Sequence, residues 1–126
     1  MPEELKLLDE WSIRLGLKDW YIVLEADVKP EDMKADDADG FVVFEETTKS
    51  ARIQIIDPKA REEDEGIFSA SRPFDFEETL VHELLHLKLC LLERGDDWET
   101  KLQLRILHQI IDDLSRALVD AKRSKE

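Results

Sequence analysis

From Asp75 to its C-terminal end the chain carries helical signals interrupted once, at Gly95, so this half of the sequence has to pack as two helices. Asp75-x-x-Glu78, following Pro73, has the form of a capping box with Asp in the cap position, and from there to Glu93 the segment is rich in Leu, Glu and Lys. A second box, Asp96-x-x-Glu99, opens a last helix in which Leu104, Leu107, Ile111, Leu114 and Leu118 recur at spacings of three and four. Such a stripe is buried on one side. Two helices joined by a short turn at Gly95 are expected to lie antiparallel and to need a further surface to cover them.

The upstream half supplies that surface. Leu5, Leu8, Trp11 and Leu15 form a stripe of helical period that stops at Gly16, a suitable left-handed residue after a helix end, so residues 3 to 15 read as an amphipathic helix. The pattern then changes. Trp20 to Leu24 and Phe41 to Phe44 are dense in aromatic and β-branched residues, and Ala51 to Ile56 alternates polar with apolar until Pro58. These are three expected strands. Residues 29 to 39 and 57 to 72, acidic or rich in charge, Ser and Gly, read as loops. The order α-β-β-β-α-α implies an α+β fold in which helices cover one face of a small antiparallel sheet, and 126 residues without an internal repeat imply one domain, 1–126.

Composition narrows the function classes. Apolar residues at 42% beside charged residues at 39% describe a core-forming soluble chain, and no apolar run approaches the roughly 20 residues that cross a bilayer. Eighteen Lys and Arg against 31 Asp and Glu give a net charge of −13, which repels a phosphate backbone. Nucleic acid and membrane are therefore not expected partners. The small basic groups, Arg14/Lys18 and Lys122/Arg123/Lys125, read as helix ends that complement the helix dipole. Cys90 is the sole cysteine, so no intramolecular disulfide forms, and the opening Met1-Pro-Glu-Glu-Leu-Lys lacks the pattern of a secretory signal. A cytoplasmic location is expected.

Within the first C-terminal helix stands His82-Glu83-Leu-Leu-His86, an H-E-x-x-H pattern. Four residues of helix advance about 400° and 6 Å, which stacks the two imidazoles on one side, where both can reach one tetrahedral Zn²⁺. Glu83 follows the first histidine by one position, beside the metal rather than on it, suited to taking a proton from water. Only three histidines occur, and the third, His108, lies on the next helix beside the Leu104/Ile111 stripe. It is the favoured third ligand, with Glu99 and Asp112 as rivals of equally good chemistry. Asp112, one turn beyond His108, suits a role accepting the outer N–H of a liganding imidazole. Cys90 lies about 12 Å along the helix from His82, too far to share its metal, and is expected in the core.

On these residues the chain resembles the zincin metallopeptidases, and by its brevity the minimal single-domain type. The metzincin extension is not matched, since Leu89 and Leu92 stand where it requires Gly and His. The gluzincin arrangement is nearer: His108-Gln-Ile-Ile-Asp112 has its spacing, with His in place of Glu. The companion motifs of peptide deformylases, which share H-E-x-x-H, are not visible. The resemblance implies a zinc-dependent enzyme acting on a peptide or protein substrate, with Glu83 as general base. It also implies a substrate peptide lying along the strand before the motif helix, here Arg52, Ile53, Gln54 and Ile55, as an added strand. The alternative is a catalytically silent binding or regulatory module in which zinc ties the last two helices together.

Overall fold

A computed structural model of the chain describes residues 2–33, 39–63, 73–90 and 98–125. Its elements are α1 (Glu3–Arg14), β1 (Tyr21–Val28), a 3-10 turn (Pro30–Asp32), β2 (Gly40–Glu45), β3 (Ser50–Ile56), α2 (Pro58–Glu63), α3 (Phe76–Lys88) and α4 (Trp98–Arg123). The architecture is α+β, as expected, with a short additional helix, α2, in what the sequence presents as loop. The Asp96 half of the second capping box lies outside the described residues.

Local chemistry sets the helix ends. Gly16 takes φ +71, a left-handed conformation that costs glycine nothing, and its N–H bonds the carbonyl of Ile13 at 3.2 Å while that of Leu17 reaches back to Ser12 at 2.8 Å. This pair of bonds is a Schellman motif; it satisfies the last carbonyls of α1 and turns buried Leu17 into the core. At the start of α3, Asp75 is extended and its carboxylate accepts the N–H of Glu78 at 3.2 Å, the cap that the sequence announces. The motif helix stops at Lys88, earlier than the Leu-rich run to Glu93 implies.

The sheet has the order β1-β3-β2. β2 and β3 form an antiparallel hairpin, with Glu45 opposite Ser50, whereas β1 runs parallel to β3, with Tyr21 opposite Ser50. The sheet is therefore mixed rather than wholly antiparallel. The strand last in sequence is also the one in the middle, and Ile53 and Ile55 on it are fully buried. α3 packs across β2 and β3, with α4 and α1 against it. Leu80, Val81, Leu84, Leu85 and Leu87 are all buried, so α3 is enclosed on nearly every side, and its polar residues show where the enclosure opens. On α4, Ile111 and Val119 enter the core and Ser115 is buried with them, but Leu114, expected in that stripe, is 41% exposed. Among the described residues, no helix is long and apolar enough to cross a membrane.

A charge network fastens the far end of the helices. The Trp11 indole N–H donates to Glu77 at 2.7 Å, Lys122 bonds Glu77 and also Glu10 at 3.0 Å, and Arg123 grips Asp75 with two bonds at 2.7 and 3.0 Å. Lys122 and Arg123 thus neutralise carboxylates on α1 and at the start of α3. The Arg123 hydrogen bonds hold the Asp75 carboxyl below its ordinary range despite some burial. Burial alone would push Glu77 up, but the bonds from Lys122 and Trp11 outweigh it and hold it down. Both groups therefore bind fewer protons folded than unfolded. Their stabilisation is complete above the ordinary carboxylate range and is lost as pH falls through it toward the lowered folded values. Thermal melts should show the melting temperature dropping below about pH 4.5, and dropping less steeply in Glu77→Gln. An equal slope in both proteins would contradict this role.

Candidate metal centre

The pairing of α3 with α4 sets His82 against Asp112 and brings His108 beside both His82 and His86. The three imidazole rings cluster, with centroids 4.9 Å apart for His82 and His86, 4.8 Å for His82 and His108, and 5.5 Å for His86 and His108. One nitrogen from each ring lies within 4.8 Å of the other two, the spacing at which a metal ion can be held. Nε2 of His82 and Nε2 of His86 stand 3.2 Å apart. Two ligands at 2.0–2.1 Å from a tetrahedral zinc stand about 3.3 Å apart, so these two nitrogens already have the separation of a ligand pair. His108 closes the set from α4, and it is the most exposed of the three.

With Nε2 facing the other imidazoles, the opposite nitrogen of His82 is turned toward α4. Its Nδ1 lies 3.5 Å from the Asp112 carboxylate, which Arg116 holds from one turn further along. A carboxylate on the outer nitrogen fixes which nitrogen carries the proton and leaves Nε2 with a free lone pair. The sequence expects Asp112 in this role, and the structure pairs it with His82 across the helix interface. Burial, followed by the neighbouring His86 and His108, pushes the His82 pKa down to about 4 against the pull of Asp112. The ring is therefore neutral at physiological pH, the form that binds metal.

Glu83 is buried, at 6% exposure, and lies against the first residue of β2. A Cβ on Gly40 would come within 2.8 Å of Thr79 Cγ2 and 3.0 Å of Glu83 Oε2. Glycine at this position lets the carboxylate rest against strand backbone. Asp39-Gly40 looks in the sequence like an ordinary turn before a strand, and the contact depends on how β2 packs on α3, so no local signal marks it.

These groups share a cleft of about 350 Å³ lined by Phe41, Val42 and Phe44 of β2, Glu83 and His86 of α3, and Leu104 and His108 of α4. Its walls are largely apolar and its polar groups are the candidate base and two candidate ligands, the composition of a binding site. The chain matches no family model, no curated protein and no solved structure.

One expectation changes. Arg52, Ile53, Gln54 and Ile55 cannot receive a peptide as an added strand, because β3 is central and its ladders are formed on both sides: Ile53 lies between Leu24 and Val42, and Gln54 between Glu25 and Phe41. Ile53, Gln54 and Ile55 are buried, and Arg52 pairs with Glu25 at 3.3 Å. The strand that borders the cleft is β2, which among the described residues pairs only with β3. The consecutive burial of Gln54, Ile55 and Ile56 is the pattern of a strand covered on both faces, and the Ile-Ile doublet is its trace in the sequence. Of the rival ligands, the Asp112 carboxylate lies 3.5 Å from the outer nitrogen of His82, and the side chain of Glu99 lies outside the described residues. Cys90 is a buried free thiol, as expected.

Proposed function

We propose that the chain is a zinc-dependent metallopeptidase in which His82, His86 and His108 hold the metal and Glu83 is the general base. The observation that carries this reading is the convergence of three imidazole nitrogens within 4.8 Å of one another beside a cleft that Glu83 also lines. The donor set fits the ion: three imidazole nitrogens leave a fourth tetrahedral position open, the pattern of catalytic rather than structural zinc. When bound, zinc supplies a Lewis acid that polarises a carbonyl and lowers the pKa of water toward about 7.

The rest is work for the chain itself. Glu83, fixed between α3 and Gly40, takes a proton from the attacking water and returns it to the leaving amine. Asp112, itself held by Arg116, keeps His82 in the tautomer that presents Nε2. Phe41, Val42, Phe44 and Leu104 exclude bulk water from the cleft and receive apolar parts of the substrate. The edge of β2 that pairs with no strand among the described residues is the place for an extended peptide to add by main-chain hydrogen bonds, the role first expected of β3. The sole cysteine, buried as a free thiol, suits a reducing cytoplasmic setting.

The test is incubation of the zinc-loaded chain with an unfolded protein such as reduced casein, read by mass spectrometry. Fragments that vanish on chelation and return with zinc support the enzyme. The metal-stabilised module is instead supported if zinc binds and raises the melting temperature while nothing is cleaved. Gly40 provides a finer check. Gly40→Ala displaces the Glu83 carboxylate, and a misplacement near 1 Å is worth about 100-fold in rate, with a stability cost of about 1–3 kcal/mol. Unchanged cleavage by Gly40→Ala would remove Glu83 from the reaction or the contact from the account.

A further inference from the structure

The long helix α4 has a second apolar face that the other described residues leave exposed. Leu102, Ile106, Ile110 and Leu114 are 43%, 48%, 47% and 41% exposed. They follow one another at intervals of four and form a ridge about 18 Å long. At about 100° of turn per residue the ridge lies on the other side of α4 from Leu104, His108 and Ile111, so neither the core nor the cleft explains it. Four large aliphatic side chains in a row on a 26-residue helix are a contact surface without a partner among the described residues.

We propose that this face is the interface of a symmetric dimer, formed by two copies of α4 packed antiparallel. The arrangement of the ridge is self-complementary. Leu102 and Leu114 are equally far from position 108, as are Ile106 and Ile110, so a two-fold axis at that level sets Leu102 on Leu114 of the second copy and Ile106 on its Ile110. Ridges of period four interdigitate with one another in the commonest class of helix packing, at a crossing near −50°.

Charge supports the same partner. Arg105 and Asp113 flank the ridge on one side and form no ion pair among the described residues. Equivalent flanks face each other in an antiparallel pair, so Arg105 of each copy meets Asp113 of the other at nearly the same height. Symmetry makes this contact twice. A partner of unrelated sequence would have no reason to match an order of residues that reads alike from both ends. The dimer leaves both clefts facing outward.

Sedimentation equilibrium of the full chain over a concentration series tests the proposal. The wild type is expected as a reversible dimer, and Ile106→Glu and Ile110→Glu are each expected to raise the dissociation constant by roughly 100-fold or more. Their circular dichroism and zinc affinity should be unchanged, since these side chains already face solvent. Arg105→Asp and Asp113→Arg should each weaken the dimer, and the double charge swap should restore it, a rescue that loss of folding cannot produce. A wild type that stays monomeric up to about 1 mM, whatever else binds the ridge, overturns the proposal. So does a dimer that survives Ile106→Glu or a charge swap without rescue.

Discussion

Glu83→Gln is expected to bind zinc as the wild type does and to cleave about 10²- to 10⁴-fold more slowly. Glutamine keeps the shape and the contact with Gly40, so the helix and the three imidazoles are undisturbed, while the carboxamide cannot accept the proton of the attacking water. The separation of binding from turnover is what distinguishes a base from a ligand. Equilibrium dialysis and a cleavage assay on the same preparation measure both. If Glu83→Gln lost zinc in proportion to activity, Glu83 would be a ligand and the mechanism would need another base. If it kept both, the carboxylate would have no part in the reaction.

Removal of a ligand is expected to act in the opposite order, on the metal first. His86→Ala and His108→Ala should each weaken zinc binding by roughly 10²- to 10³-fold, one ligand's share of the binding free energy of a histidine site. They should also abolish most of the rise in melting temperature that saturating zinc gives, since that rise follows the ratio of free metal to dissociation constant. Asp112→Asn leaves all three imidazoles in place and disturbs only the partner of His82 Nδ1, 3.5 Å away. A loss of about 10- to 100-fold in zinc affinity is expected there. The ranking matters more than any single value. If His108→Ala bound zinc as tightly as wild type, the metal would be held by α3 alone with a carboxylate from elsewhere, and Glu99 would be the next residue to change.

The parts of this site that are legible in sequence are those that a single helix determines. His82, Glu83 and His86 are neighbours by helical geometry alone, and the cap at Asp75 and the stop at Gly16 are local backbone chemistry. His108 needs one further assumption, that α3 and α4 lie antiparallel, and the sequence separation of His86 from His108 carries it. The order of strands was not legible. Each strand shows its period of two, but whether a strand is central or at an edge depends on which neighbours it finds, so β3, expected to be an edge, is central, and β2 is the strand that borders the cleft. Gly40 was missed for the same reason, because its contact is between a strand and a helix far apart in the chain. Leu114 was expected in the core from its spacing to Ile111 and Leu118. It belongs instead to the second face of α4, where Leu102, Ile106 and Ile110 continue it. A stripe at intervals of three and four and a ridge at intervals of four can share a residue, and only packing decides between them.

X-ray absorption at the zinc edge of the chain loaded with one equivalent of zinc bears most directly on the centre. The expected spectrum has three nitrogen scatterers at 2.0–2.1 Å with the outer-shell pattern of imidazole, and loses one of them in His108→Ala. A first shell of oxygen without imidazole features, or a spectrum identical in wild type and in a variant lacking all three histidines, would contradict it.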